Sequence, residues 1–287
     1  MSVATRDSRA WGFGLALAAA CVFSTASVAV RMAADLSALE ITAYRMLLAG
    51  LLVGGLARLA GQPVRLAAAD LRRLLPIGAI TAVHFLAFIA SLGYTSVAHA
   101  LTFTYTAPAL TALVAWRLLG EPMPLRRWGG IALVVAGTAT LAGFEPHLTS
   151  RMLMGDGLAL VSALAFAFYS TLGRRERDRF PLLTYAGWIY LLAGVVLLPF
   201  ALSAGTHRTT PRAVAAVLFL AAIPLGAGHT LYNGALRRMH PAAVNVIASQ
   251  EVTGGILLAW LILGEAPGAH AILGAGLTLL GVGLVVW

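Results

Sequence analysis

The chain has 287 residues and a net charge of +9, and 60% of its residues are hydrophobic whereas only 11% are charged. A soluble domain carries about 25% charged residues, so this composition excludes a disordered chain, a soluble enzyme of the usual kind and a nucleic-acid-binding module. Arginine alone carries the positive charge, because the sequence has no lysine, and the arginines cluster between apolar runs. That distribution is typical of a multi-pass membrane protein.

Ten apolar runs follow one another along the chain, and each is close to the length of a membrane-spanning helix, about 20 residues. The runs occupy residues 11–33, 38–60, 74–94, 97–119, 127–144, 154–173, 181–203, 213–236, 241–263 and 269–287. They lack the alternation of barrel strands, and in hydrocarbon each backbone polar group must be paired within its own segment. We therefore predict an all-α integral membrane protein with ten transmembrane helices.

The arginine distribution also predicts the orientation of these segments. Fifteen of the 20 arginines lie at the amino terminus or in the loops after even-numbered segments, four lie in the other loops, and Arg45 lies within the second segment. By the positive-inside rule, this asymmetry places both termini in the cytoplasm.

The two halves of the sequence repeat each other. The tripeptide Leu-Gly-Glu at 119–121 recurs 144 residues later at 263–265. Glycines recur at the same offset, with Gly130 and Gly137 followed by Gly274 and Gly281. We predict two five-helix repeats, 1–146 and 147–287. Because five is odd, the second repeat would be inverted relative to the first, which is typical of secondary transporters. A membrane scaffold is the alternative.

The sequence contains no phosphate-binding loop, no paired-cysteine or histidine metal spacing and no nucleophile motif, which are the signatures of nucleotide hydrolysis, metal binding and nucleophilic catalysis. We therefore predict no metal, no cofactor and no enzymatic activity. A membrane-embedded enzyme is kept as an alternative from another class.

Polar and aromatic side chains inside the apolar segments are the candidate functional residues, because a charge at the bilayer centre costs about 2.5–3.5 kcal/mol. Glu251 would be a proton site or a partner for a substrate ammonium group, or a protonated side chain bonded to a neighbouring helix. Arg45 could be a counter-ion for a carboxylate, but snorkelling to the outer headgroups or a structural salt bridge is the favoured interpretation. The candidate substrate-binding residues are His84, Phe88, Tyr105, Thr106, Phe166, Tyr169, His229, Asn233, Asn245, Gln250 and Glu251.

Two segments carry stripes of polar and aromatic side chains at helical spacing. The third segment has His84 with Phe88, and the eighth has His229 with Asn233. A shift of 145 residues takes His84 onto His229, so the repeat pairs two histidines. The stripes fit a cavity wall, and interhelical hydrogen bonds are the alternative. We expect a path lined by segments one, three, four, six, eight and nine. Segments five and ten should pack closely together along their repeated glycines and lie away from this path.

The ordered set of motifs resembles the EamA branch of the drug/metabolite transporter superfamily. The resemblance rests on Ala90-Ser91-Leu92 with Tyr94, Thr106-Ala107-Pro108 and Leu118-Leu119-Gly120-Glu121, and on Pro241-Ala242-Ala243, Gln250-Glu251 and Leu263-Gly264-Glu265. One departure is Glu251-Val252, where the family often has Glu-Pro, so we expect a weaker kink in the ninth segment than at Pro108.

The resemblance implies a secondary transporter of the bacterial inner membrane that exports amino acids or similar small metabolites by alternating access. The expected partners are a small, amino-acid-like substrate and the lipid bilayer. The arginine distribution argues against nucleic acid, and the expected oligomeric state is a monomer. A multidrug or nucleotide-sugar exporter of the same superfamily is the alternative within transport.

Overall fold

The computed structural model describes residues 6–95, 97–143, 149–204, 209–263 and 268–286, and these residues form helices and turns without any β-strand. The helices are α1 (Arg6–Phe23), α2 (Ala26–Met32), α3 (Ala38–Leu59), α4 (Ala68–Ser91), α5 (Val97–Thr104), α6 (Ala107–Leu119), α7 (Leu125–Ala142), α8 (Ser150–Arg175), α9 (Leu182–Ser203), α10 (Pro211–Leu220), α11 (Thr230–Leu236), α12 (Pro241–Ala248), α13 (Gln250–Leu263) and α14 (Ala269–Val286), with a π-helix (Ala221–His229) between α10 and α11. The predicted all-helical class is confirmed.

Seven helical stretches within the described residues are long and apolar enough to cross a membrane. They are Asp7–Met32, Ala38–Leu59, Ala68–Ser91, Ser150–Arg175, Leu182–Ser203, Pro211–Leu236 and Ala269–Val286. The other three predicted segments are also helical, as α5 with α6, as α7, and as α12 with α13. A multi-span membrane protein is therefore supported, and the count of ten crossings stays a prediction.

Hydroxyl side chains cap the first turns of three helices. The Ser37 hydroxyl accepts a hydrogen bond from the Glu40 amide at 3.2 Å, and the Glu40 carboxylate accepts one from the Ser37 amide at 2.9 Å. The Thr149 and Thr210 hydroxyls accept from the Met152 and Ala213 amides at the starts of α8 and α10. A capped first turn has fewer unpaired N–H groups, so each of these segments begins at a defined residue.

Equivalent helices of the two repeats pack against each other through glycine. A Cβ on Gly50 of α3 would lie 2.6 Å from the Leu191 amide nitrogen, and a Cβ on Gly194 of α9 would lie 2.8 Å from that of Leu47. The two contacts are reciprocal at an offset of 144 residues, since Gly50 corresponds to Gly194 and Leu47 to Leu191. Residue numbers rise along α3 as they fall along α9, so these helices are antiparallel, as expected for inverted repeats.

The same relation holds between α7 and α14. A Cβ on Gly130 would lie 2.8 Å from the Gly281 carbonyl oxygen, and one on Gly137 would lie 2.9 Å from the Gly274 carbonyl oxygen. Small residues allow such close approach of two backbones in a membrane. The predicted close packing of the fifth and tenth segments is confirmed, and their glycines form a scaffold contact between the halves.

We expect Gly137→Ala to destabilise the protein, because its Cβ would meet the backbone and side chain of Thr278 at 2.7–2.8 Å. Overpacking of this kind typically costs about 1–3 kcal/mol. The matched control is Gly129→Ala in the same helix, where a Cβ would meet nothing within 4 Å. Melting temperatures of the detergent-solubilised proteins measure the effect. Equal melting temperatures for the two variants would contradict the assigned α7–α14 contact.

Candidate functional site

Four helix interruptions meet at one cavity in the middle of the protein. They are the breaks between α1 and α2, between α5 and α6, and between α12 and α13, together with the π-helix. The cavity is lined by Phe23, Ala26, Arg45, His84, Phe85, Phe88, Leu101, Thr104, Tyr105, Phe166, Pro224, Leu225, His229 and Glu251. Residues from every interruption are therefore among its walls, and both halves of the chain contribute.

Hydroxyl side chains accompany three of these interruptions. Ser24 and Thr25 donate to main-chain oxygens within α1, Thr106 donates to the Phe103 oxygen at 2.7 Å, and Ser249 donates to the Val246 oxygen at 2.7 Å. Such bonds to the helix's own carbonyls bend or locally tighten a helix. The break between α12 and α13 needs no proline. It spans Ser249 alone, whereas the break before Pro108 spans Tyr105 and Thr106; the weaker kink of the ninth segment stays a prediction.

Two buried groups of opposite charge face the cavity. Arg45 is 3% exposed and Glu251 is 8% exposed. The guanidinium carbon of Arg45 lies 4.6 Å from the centroid of the Phe85 ring, and the Glu251 carboxylate accepts a hydrogen bond from the Tyr105 hydroxyl. The site thus combines an anion-binding and a cation-binding side chain.

Aromatic rings surround these charges. His84 stacks on Phe166 with ring centroids 4.5 Å apart, and its Nδ1 lies 2.9 Å from the Ser162 hydroxyl oxygen. His229 lies 4.3 Å from Phe23 and 4.7 Å from Phe85 between centroids. The rings leave about 40 Å³ for the centres of water-sized molecules, where one water needs about 10–15 Å³. A larger ligand must therefore displace side chains to enter.

A buried polar network lies next to the aromatic rings. Asn233 donates to the Tyr169 hydroxyl at 2.7 Å and to the Tyr190 hydroxyl at 3.3 Å. Asn245 accepts from Tyr232 and donates to Thr111 at 2.7 Å. Because Thr111 belongs to α6 in the first half and Asn245 to α12 in the second, their bond links the two halves of the chain.

Ion pairs tie the halves together at one end of the bundle, which we call the arginine-rich end and which includes Arg73, Glu121, Arg174 and Glu176. Arg174 binds the Glu121 carboxylate at 2.8 Å and donates to the main-chain oxygens of Leu236 and Met239. Arg73 binds Glu176 at 2.7 Å. Glu121, just after α6, thus has a structural role at this end, whereas its counterpart Glu265 lies outside the described residues.

His240 completes this end of the bundle. Its Nε2 donates to the Glu121 main-chain oxygen at 3.1 Å, while its Nδ1 accepts from the Ala242 amide at 3.2 Å. Burial lowers the pKa of the His240 ring. A neutral ring is the form that satisfies both bonds, so His240 joins the start of α12 to the loop after α6.

Comparison with known proteins identifies the family. The sequence profile of the EamA-like transporter family matches residues 10–143 and again residues 153–287. The chain belongs to the EamA-like transporter family. Two copies of the family unit therefore occupy nearly the whole sequence, which agrees with the internal repeat.

Several curated proteins are similar to this EamA-family chain. An uncharacterized transporter of Archaeoglobus fulgidus is 26% identical over 73% of each chain. An uncharacterized inner membrane transporter of Salmonella typhimurium is 26% identical over 78% of this chain and 77% of that protein. A probable terminal-alkyne amino-acid exporter of Streptantibioticus cattleyicolor is 28% identical over 62% of this chain and 60% of that protein. All three are named as transporters, which points away from enzymatic activity.

A solved crystal structure shares the fold of this EamA-family protein. It superposes with a TM-score of 0.81 over 95% of each chain, at 20% sequence identity. At this identity the likeness shows the fold alone, so the chemistry of the cavity must be argued from its own side chains.

The structure brings together most of the residues that the sequence singled out. Six of them line the cavity, namely His84, Phe88, Tyr105, Phe166, His229 and Glu251. Tyr169, Asn233 and Asn245 lie in the adjoining polar network. Thr106 donates to the Phe103 main-chain oxygen of α5. The Gln250 side-chain oxygen accepts from Thr253 and from Thr278 of α14. The side chains of Thr106 and Gln250 are therefore outside the group that surrounds the cavity.

Arg45 is the main correction to the sequence reasoning about the site. Snorkelling to the headgroups or a structural salt bridge was the favoured interpretation. Snorkelling is wrong, because the side chain is 3% exposed and lies over Phe85. No ion pair of Arg45 within 4.0 Å is present among the described residues. Phe23 and Phe85 were not singled out at all. Their sequence pattern is that of ordinary packing residues, so no signal separated them from the other phenylalanines.

We expect Tyr232→Phe to lower the melting temperature, because it removes the hydroxyl that bonds Ser170 and Asn245. Leaving buried polar atoms without a partner costs about 1–3 kcal/mol. Tyr185→Phe is the matched control, since the Tyr185 hydroxyl is buried and has no hydrogen-bond partner. Thermal unfolding in detergent should show a loss only for Tyr232→Phe. A larger loss for Tyr185→Phe would contradict the network.

Proposed function

We propose that this EamA-family protein is a secondary transporter that exports amino acids or similarly small amphipathic metabolites across the bacterial inner membrane. The observation that carries the proposal is the cavity at the four helix interruptions, which holds Arg45, Glu251 and a set of aromatic rings. Interrupted helices that border a buried polar site are a recurrent construction of transporter binding sites. The name of the Streptantibioticus relative supports amino acids as the substrate class.

The proposed topology has ten membrane crossings in two inverted repeats with both termini in the cytoplasm. The excess of arginine at one end supports this orientation. The antiparallel contacts of α3 with α9 and of α7 with α14 support the inversion. In this orientation the arginine-rich end faces the cytoplasm.

The way the halves are joined supports alternating access as the proposed mechanism. The glycine contacts are close backbone contacts and suit rigid scaffold surfaces, whereas the cavity lies among interrupted helices. Ion pairs of Arg174 and Arg73 hold the cytoplasmic end together in this conformation. Opening the cavity to the cytoplasm then requires these pairs to separate, and inverted repeats provide the equivalent movement at the other end.

We expect amino-acid counterflow in proteoliposomes. Vesicles loaded with one unlabelled amino acid at a time should take up the same labelled amino acid, because a carrier exchanges its substrate across the membrane. Protein-free vesicles and vesicles loaded with buffer alone are the controls. Product analysis should recover the label as the unchanged amino acid.

The outcomes of this experiment separate the candidate functions. Exchange of a cationic drug or a nucleotide sugar without exchange of any amino acid would contradict the proposed substrate class. Chemical conversion of the labelled compound would indicate a membrane-embedded enzyme. Silence with every compound would contradict transport of these substrates and favour a scaffold.

Loss of the Arg174 contacts should open the cytoplasmic end. Arg174→Gln removes the ion pair with Glu121 and weakens the bonds to two main-chain oxygens, each worth about 1.5–3 kcal/mol when a charge takes part. A single cysteine at Thr104, in a Cys21→Ser background, reports on cavity access. Its labelling by a membrane-impermeant maleimide in inside-out vesicles should become several-fold faster.

Arg177→Gln is the matched control for this measurement. The Arg177 side chain pairs with its neighbour Asp178, which is 88% exposed, so its loss leaves the contacts between the halves in place. Equal acceleration by both variants would show that Arg174 has no specific role in closing the cytoplasmic end.

A further inference from the structure

Two side chains of opposite charge face the same small cavity from different repeats. Arg45 of α3 belongs to the first repeat and Glu251 of α13 to the second, and both are more than nine-tenths buried. No ion pair within 4.0 Å joins them among the described residues. Each charge is therefore held in an apolar interior without direct contact with the other, which is costly unless a third group completes the pairing.

The hydrogen-bonding capacity of Arg45 is incompletely used. Its Nε is buried and has no hydrogen-bond partner. The ring of Phe85, 4.6 Å away, attracts the cation but supplies no oxygen acceptor. A guanidinium presents its N–H groups as a planar fork that matches the two oxygens of a carboxylate. The missing partner of Arg45 is thus best supplied by a carboxylate.

Glu251 has the complementary position. Its Oε2 accepts a hydrogen bond from the Tyr105 hydroxyl, and the residue borders the cavity. Aromatic rings, including Phe88 and Phe166, line the same space. A carboxylate among aromatic faces suits a primary ammonium group, which needs anionic oxygen and gains from nearby rings.

We propose that the cavity recognises a zwitterionic α-amino acid through both of its charges. The substrate carboxylate binds the Arg45 guanidinium, its ammonium group binds Glu251, and an apolar side chain packs against Phe23, Phe85 and Phe166. This inference rests on the proposed function and assigns the side chains that recognise the two charged groups of the substrate at the same site. A zwitterion pairs both buried charges and brings no net charge into the cavity, whereas an amine or a carboxylic acid alone leaves one charge unpaired.

The position of the two charges also connects recognition with conformation. Arg45 and Glu251 lie on opposite repeats, so a bound zwitterion forms a bridge between the halves. A ligand that carries one charge makes a charged contact with one half only, so it forms no such ionic bridge. Both charged groups of the substrate are therefore required for tight binding.

Three ligands with the same apolar body test this inference, namely L-leucine, isoamylamine, which lacks the carboxylate, and isocaproate, which lacks the amino group. Dissociation constants come from the ligand-dependent rise of the melting temperature in detergent. We expect L-leucine to bind about 10- to 100-fold more tightly than either analogue, because each analogue loses a charged hydrogen bond. Should another amino acid give the strongest counterflow, its own amine and acid replace this pair.

Variants assign each preference to one side chain. Arg45→Met should abolish the preference for L-leucine over isoamylamine, and Arg45→Lys should restore part of it because the charge returns without the planar fork. Glu251→Gln should abolish the preference for L-leucine over isocaproate. Arg31→Met is the matched control, since Arg31 is exposed and does not line the cavity. If the role of Arg45 is purely structural, its substitution would instead weaken the binding of all three ligands equally.

The results that overturn the inference are distinct from those that overturn the proposed function. Wild-type protein that binds isoamylamine or isocaproate as tightly as L-leucine contradicts the inference. Where Arg45→Met does not fold, Arg45→Lys takes its place. An unchanged preference of Arg45→Lys for L-leucine over isoamylamine likewise contradicts the inference. If amino-acid counterflow persists in either case, transport stands and only the recognition scheme falls. Absence of counterflow for every amino acid removes both.

Discussion

The cost of holding a charged side chain inside apolar helices is the constraint on which this structure depends. Arg45 and Glu251 are both buried, and removing an ion from water costs several kcal/mol even after local relaxation. Phe85 and Tyr105 offset part of this cost through a cation–π contact and a hydrogen bond. The remaining cost is reduced when a ligand with groups of opposite charge to Arg45 and Glu251 occupies the cavity. The two buried charges therefore destabilise the folded protein and favour binding of such a ligand.

Helix interruptions make such a site possible within a membrane protein. A continuous helix uses its backbone groups internally and presents only side chains, whereas a break redirects the chain and changes which side chains converge. Ser24, Thr106 and Ser249 keep carbonyl groups bonded at three of the breaks. The breaks at Tyr105–Thr106 and at Ser249 are also 144 residues apart, so this pair of interruptions follows the repeat. The equivalents of the other two interruptions lie within the continuous helices α8 and α4.

The protein therefore divides into helices that hold the halves together and helices that form the site. Reciprocal glycine contacts join α3 to α9 and α7 to α14, and none of these glycines lines the cavity. α3 belongs to both groups, because Arg45 lies on the same helix as Gly50. A substrate bound to Arg45 is thereby connected directly to the contact between the repeats.

The sequence by itself determined the helical membrane class, the repeat and the close glycine packing of the fifth and tenth segments, because hydropathy, arginine placement and a fixed offset are properties of residue order. The glycine contact between α3 and α9 came only from the structure. The sequence also indicated His84, Phe166, His229 and Glu251, because polar and aromatic residues in apolar helices are conspicuous. Only the tertiary structure decided that Arg45 points into the cavity and that Gln250 points toward α14. Both side chains occupy helix positions that fit either direction, and the rotation of each helix against its neighbours, which packing sets, selects between them.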